Sequence, residues 1–481
     1  MPTFTFERTA VTLLFLVVAA TACLMPAQSD TWWHLREGQV LWNGGTLLTD
    51  YFSHTVPGGY WQDREWLSQV VFFATYRLGG LPVLTLLGAS IVTLTWLAIW
   101  SLLEGPLWSR ILVTILGVTA NSAQWSLRPQ LFTLIGLAIT LVLLSRVVRA
   151  WSAIAWLIPL VFLVWANLHG GVVVGLALLV VAVGWSAVSR PTANTRRLAV
   201  VAATAFAATA ATPLRTSLWT DTFSAARRMK EAGITEFAGA SLTDPLLMPF
   251  WLLCAAFLVL LVAARPWQSD SRARHFSVAA AVALLPLGVM ASRNAALVAL
   301  IAVPALHYLF GGSLRIDRGE PRRERPRLNA ALVASVAVLA TVVVVYNWTN
   351  RRAQLGWTPI PEAVAASVES CRAPLYNRFT DGGPLIWFAR SQKVFIDNRF
   401  DPYPTTLLKE SVKVEATGNY RPLFDQFRIN CAALPAESLV AGRLRHDGWR
   451  VVADEGGWMV IERQAEKATT ARRQEIPVST N

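Results

Sequence analysis

Apolar runs close to the thickness of a bilayer core recur through the first 350 residues, and nothing else constrains the fold as much. They cover 9–27, 81–103, 111–124, 129–146, 153–167, 172–189, 198–212, 246–264, 276–291, 295–310 and 328–346. A backbone inside lipid must satisfy every N–H and C=O internally, so segments of this kind are helices. The rest of the composition agrees: of 481 residues, 54% are hydrophobic and only 15% charged, where a soluble chain carries about a quarter. The length alone would allow about three soluble domains, and the apolar runs exclude that division. The expected fold class is an α-helical polytopic membrane protein of about eleven transmembrane helices with a C-terminal extracytoplasmic α/β domain. The run at 9–27 is longer than the core of a cleaved leader, and is expected to stay as a signal anchor.

The formal charge of +13 could indicate nucleic acid, but that needs a basic face on a soluble module. Here the arginines stud short turns instead: Arg146 and Arg149; Arg190, Arg196 and Arg197; Arg265, Arg272 and Arg274; and Arg315 through Arg327. The positive-inside bias places all of these in the cytoplasm, with the N-terminus, and one consistent alternation of spans satisfies every turn. No nucleic-acid partner is expected; the bilayer is. The opposite face then receives the loop 28–64, the Arg128-Pro129 corner, the 167–171 hairpin, the loop 213–245, the Ser292-Arg293 corner and everything after residue 347.

That outer face holds the unusual residues. The first loop interleaves Asp30, His34, Asp63 and Glu65 with Trp33, Trp61 and Trp66. A carboxylate just past the first span lies at the level of a lipid-linked phosphate. It can act as a general base, or hold a divalent cation (Mg or Mn) against that phosphate, with Asp30 as its ligand. If a helix re-forms after the first span, Asp30 and His34 share a face. Trp33 and Trp61 offer flat surfaces on which a sugar ring could stack. The plainer alternative is a helix cap and an interfacial aromatic belt.

Arginine on the outer face runs against the topological bias and calls for a reason. Arg128, Arg293 and Arg215, with Arg227, Arg228 and Lys230, are candidates for gripping phosphate, against plain snorkelling to headgroups. In the hairpin Asn167-Leu168-His169-Gly170-Gly171, His169 could bind phosphate or shuttle a proton, and Gly171 with Gly175 repeats a spacing that lets helices approach closely. Asp221 and Glu236 are candidates for a second carboxylate.

Past residue 350 the character changes. Short β-like runs (374–379, 393–397, 430–434, 449–453, 458–462) alternate with helical stretches (384–390, 405–412, 438–447), and the last two runs read as a hairpin across Gly456-Gly457. The expected division is a multi-span domain over 1–350, a soluble α/β domain over 355–465 and a disordered tail over 466–481. Asp381-Gly382-Gly383 and the Asp397, Arg399, Asp401, Tyr403 group read as charged turns. Cys371 and Cys431 both fall in this domain, and a disulfide between them is left open.

The acidic loop after the first span, Arg128-Pro129-Gln130, the Asn-x-His-Gly-Gly hairpin and the tail run Val394-Phe395-Ile396-Asp397-Asn398-Arg399 together resemble the bacterial membrane glycosyltransferases of the GT-C superfamily. The layout is similar to that of the oligosaccharyltransferase catalytic subunit, the protein O-mannosyltransferases and the lipid A aminoarabinose transferase. The resemblance implies an enzyme that takes a hexose or pentose from a polyprenyl-phosphate carrier by inverting transfer to a lipid, glycan or protein acceptor. It also implies a catalytic carboxylate at Asp30 and a bacterial inner membrane location. A close Asp-x-Asp pair and an acceptor-peptide signature are both missing. Two other functions stay open: a transporter or lipid flippase, which would place polar groups at mid-membrane, and a scaffold whose outer domain binds partners.

Overall fold

The computed structural model describes residues 4–189, 193–231, 235–264, 275–313 and 324–464. The tail at 466–481, Arg190, Arg265, Arg272, Arg274, Arg315, Arg318, Arg322 and Arg323 lie outside the described residues, as do the side chains of Asp221 and Lys230. The chain divides into two compact units. The first comprises Met1–Tyr51, Val56–Pro359 and Asn398–Leu408; the second comprises Phe52–Thr55, Ile360–Asp397 and Lys409–Asn481.

The first unit is helical: α1 (Phe6–Ala22), α2 (Ser29–Trp42), α3 (Trp66–Trp100), α4 (Leu107–Ser122), α5 (Gln130–Arg149), α6 (Leu157–Leu168), α7 (Val172–Ser189), α8 (Ala193–Ala208), α9 (Ser217–Glu231), α10 (Met248–Ala264), α11 (His275–Met290), α12 (Ala295–Ser313) and α13 (Pro326–Asn350). A helix occupies the position of every expected span. Among the described residues, six segments are long and apolar enough to cross a membrane: Trp66–Trp100, Gln130–Arg149, Val172–Ser189, Pro245–Ala264, Ser292–Phe310 and Pro326–Asn350. The segments Ala153–Leu168 and His275–Met290 are apolar but shorter. This is a multi-pass membrane protein.

Local chemistry sets the boundaries that matter for the site. The chain leaves α1 and turns at once into α2, whose first turn is held by a reciprocal pair between Gln28 and Thr31, Thr31 Oγ1 accepting from the Gln28 amide at 3.0 Å. Asp30 sits in that first turn, where the helix dipole favours a carboxylate. Residues 65–78, amphipathic in sequence, open α3, which kinks at Gly79-Gly80 ahead of Pro82. A Cβ on Gly38 would stand 2.1 Å from the Gln69 carbonyl, so α2 and α3 meet backbone to backbone there.

The second unit carries α14 (Glu362–Ser370), β1 (Leu375–Asn377), α15 (Gly382–Phe388), α16 (Thr405–Thr417, its first turn in the first unit), α17 (Arg421–Gln426), β2 (Cys431–Pro435), α18 (Leu439–His446), β3 (Arg450–Glu455) and β4 (Trp458–Glu462). The sheet order is β1-β2-β4-β3. β1 runs parallel to β2 with Tyr376 opposite Ala432, and β4 is antiparallel to both neighbours. The Gly456-Gly457 hairpin forms as expected, both glycines at positive φ. The 393–397 run is a correction: it stays out of the sheet and makes one isolated bridge, Val394 with Ser53. Asn377 accounts for the difference, because its side chain accepts from the Phe395 amide at 2.8 Å and donates to the Ile396 carbonyl at 2.7 Å. A disulfide joins Cys371 to Cys431. Gly382 opens α15 because a Cβ there would lie 2.3 Å from the Ile396 carbonyl; Asp381 is taken by Arg378 at 2.7 Å.

Candidate active site

The first unit gathers its polar groups around the start of α2 and the start of α3. Arg128 follows the turn after α4, a turn tied down by Trp125 donating to Asn121 at 2.6 Å and by Asn121 donating to the Ala296 carbonyl of α12 at 2.9 Å. Its Nε donates to Ser126 Oγ at 2.9 Å. The guanidinium reaches Asp30 at 3.0 Å and Glu236 at 3.3 Å. Burial works against this cation, yet the two carboxylates more than offset it and hold Arg128 above its ordinary value. Asp30 also accepts from the Trp33 indole at 3.4 Å and from the Asn398 amide.

Glu236 is brought in by its own short turn. The Ser292 amide donates to the Ala238 carbonyl at 3.0 Å, and Ser292 Oγ donates to the Glu236 carbonyl at 3.2 Å. Arg293, one residue on, lays its guanidinium 4.4 Å over the Phe237 ring. It is within electrostatic reach of Glu236, Glu65 and Asp30, yet no carboxylate among the described residues pairs with it. The two arginines singled out in the sequence therefore differ: Arg128 is committed and Arg293 is open.

The second centre is Glu65, at the start of α3. One carboxylate oxygen faces His169 Nε2 at 3.2 Å and the other faces His34 Nε2 at 3.5 Å. Burial pushes Glu65 up to about 8, with Asp63 adding to the rise and Arg293 and Arg64 opposing it. Burial, with the positive charges of Arg293, Arg128 and Arg64, drives His169 down to about 3. His34 is held well below its usual range by burial, then by Arg128 and His169. At neutral pH the group is a protonated carboxyl between two neutral imidazoles. Asp63 turns inward just ahead of α3, accepting from the Glu65 backbone amide at 3.0 Å and from the Gln69 side-chain amide at 2.9 Å, and burial raises it to about 7. Glu37, which the sequence did not mark, is fully buried, has no hydrogen-bond partner among the described residues and is raised by burial to about 9.

Other expected residues lie elsewhere. Trp33 and Trp61 are buried edge to face, 5.7 Å between centroids, and the Arg399 guanidinium covers Trp61 at 4.9 Å. Both indoles build the loop's own core and present no open face to a sugar. Arg215 is exposed in a turn with φ 51° and makes no side-chain pair among the described residues. At Asp30 a guanidinium stands at 3.0 Å, and among the described residues no three His, Cys, Asp or Glu side chains group as metal ligands.

The charged turn at 398–403 proves to belong here, which its sequence pattern did not reveal. Asn398 holds Asp30. Arg399 reaches Asp50 at 2.7 Å, both side chains wholly buried, and Asp401 takes Arg64 at 2.6 Å and Arg228 at 3.1 Å. More than 330 residues separate Asn398 from Asp30 and Asp401 from Arg64, so no local pattern could announce these contacts.

This fold is similar to that of two solved membrane-protein structures. The oligosaccharyltransferase AglB from Archaeoglobus fulgidus, solved with an inhibitory peptide and a dolichol-phosphate, matches over 90% of this chain and 70% of its own, with a TM-score of 0.56 at 11% identity. ArnT from Cupriavidus metallidurans matches over 94% of this chain and 98% of its own, with a TM-score of 0.51 at 15% identity. No protein-family model matches the sequence, and no curated protein does.

Proposed function

We propose that the chain is a glycosyltransferase that moves a sugar from a polyprenyl-phosphate carrier to an acceptor at the outer face of the bacterial inner membrane. The observation that carries this reading is an open cation, Arg293, beside an ion-paired carboxylate, Asp30, and a protonated one, Glu65. A carboxylate held by a guanidinium and a buried carboxyl raised to about 8 suit base and acid roles in one displacement. Arg293 takes the donor phosphate, and Arg128 helps to hold it. Asp30 accepts the proton of the acceptor hydroxyl as that oxygen bonds to the anomeric carbon. The bond from that carbon to the phosphate oxygen breaks, its electron pair leaves with the polyprenyl phosphate, and Glu65 supplies a proton to the departing oxygen. One displacement inverts the anomeric configuration.

This reading places the polar face, the second unit and residues 28–64 outside, with the N-terminus and the arginine-rich turns inside and about eleven spans between. Its test is the lipid the purified protein carries. Mass spectrometry is expected to find a polyprenyl phosphate, or its sugar-linked form, bound to the wild-type protein and depleted in Arg293→Ala. Purified protein with phospholipid alone, inactive towards any polyprenyl-phosphate sugar, would refute the assignment.

A further inference from the structure

One chain of hydrogen bonds is used by nothing so far, and it ends on Glu65. His169 caps α6 at the hairpin, and its Nδ1 receives the Gly171 amide N–H at 3.0 Å. A backbone N–H can only donate, so Nδ1 is the bare nitrogen and the ring proton of the neutral imidazole sits on Nε2. Thr133 of α5 meets the same Nδ1 at 2.7 Å, and its hydroxyl donates there, since Nδ1 has no proton to give. The Thr133 oxygen in turn accepts from the Trp165 indole N–H at 3.0 Å. Thr133 is 1% exposed and Trp165 2%, so water does not compete for these groups.

The packing around this chain leaves little room for another arrangement. A Cβ on Gly171 would lie 2.3 Å from Thr133 Oγ1 and 2.8 Å from His169 Nδ1. A Cβ on Gly136 or on Gly175 would fall 2.6 or 2.5 Å from the Trp165 ring. The Gly171 and Gly175 spacing in the sequence therefore makes space for an indole, a hydroxyl and an imidazole.

We infer that Thr133, with the Gly171 amide behind it, is a positioning residue that fixes His169 as a neutral Nε2–H donor and thereby decides which oxygen of Glu65 carries the proton. With His169 donating to Oε1, the carboxyl proton belongs on Oε2, the oxygen facing His34 Nε2. His169 is on this account a fixed donor, distinct from a cationic phosphate ligand. Glu65 meets its ring at 3.2 Å, the charges of Arg293, Arg128 and Arg64 reach it, and His34 lies across the same carboxyl; three cations oppose a charged imidazole.

The inference rests on the glycosyl-transfer reading only for its effect on rate, so the test has two arms. In protein labelled with ¹⁵N-histidine and held in lipid nanodiscs, solid-state NMR is expected to show His169, assigned by loss of its signals in His169→Gln, as the neutral Nε2–H tautomer from pH 8 down to pH 5. An imidazolium signal at pH 5, or the Nδ1–H tautomer, would overturn the inference whether or not sugar transfer is ever observed. In the transfer assay, Thr133→Val is expected to lower turnover about tenfold at unchanged KM for the donor, while Thr133→Ser, which keeps the hydroxyl, restores it to within about twofold. Turnover of Thr133→Val equal to wild type, or a Thr133→Ser protein as slow as Thr133→Val, would reduce Thr133 to packing. Wild-type tautomer behaviour in a protein that transfers no sugar would sink the enzyme reading alone.

Discussion

Two aspartate–arginine pairs in the first unit are alike in chemistry and opposite in setting. Asp30 meets Arg128 at 3.0 Å with both side chains partly open, 21% and 12% exposed. Asp50 meets Arg399 at 2.7 Å with neither exposed at all. The buried pair exchanges nothing with solvent or substrate; it fixes where the end of the first loop and the 398–403 turn lie. The open pair has Glu236 sharing its guanidinium and Arg293 within reach of its charge. Identical partners thus lock the fold where water is excluded, and on the proposed reading meet the donor phosphate where it is not.

The contrast predicts different failures. Arg399→Met leaves the Asp50 carboxylate buried without its guanidinium and is expected to cost about 3–5 kcal/mol of stability, read as a lowered thermal unfolding midpoint in detergent. The double replacement Asp50→Asn with Arg399→Met should recover part of that loss. Asp30→Asn, by contrast, is expected to unfold near the wild-type temperature while sugar transfer drops about a thousandfold. If the two variants exchange phenotypes, the division of roles is wrong.

Arg293→Ala should raise the KM for the polyprenyl-phosphate donor about tenfold to a hundredfold, the loss of one bond to a charged group, with a smaller change in turnover. The smallest effect is a titration. Glu65 is raised, so its acid form persists in the folded protein up to about pH 8. Turnover that needs this proton is therefore full below pH 7 and declines as the pH climbs past about 8. Glu65→Gln should be slow throughout and lose that alkaline limb, and a limb that survives the substitution would assign it to another group.

Much of this was legible in the chain. The apolar runs required helices, because lipid offers no other partner for a peptide group, and a helix stands at each of them. Asp30, Glu65, His34 and His169 were visible as polar residues gathered on one face, and Arg128 and Arg293 as arginines on the wrong side of a charge rule; the fold brings them together. Arg215 was visible as well and stays exposed in its turn, and Trp33 meets Asp30 by its indole N–H while its ring is buried against Trp61, since residue type reports what a side chain can do and not which way it faces.

Only the tertiary structure decided the rest. Thr133 lies in an apolar span and its sequence neighbours say nothing of His169. Asn398, Arg399 and Asp401 looked like a turn until the fold carried them to Asp30, Asp50 and Arg64. Periodicity and charge bias are properties of a segment, so a segment suffices to read them. Burial, pairing and the choice of tautomer belong to groups that meet only after the chain has closed on itself, and those are what separate an open carboxylate from a sealed one.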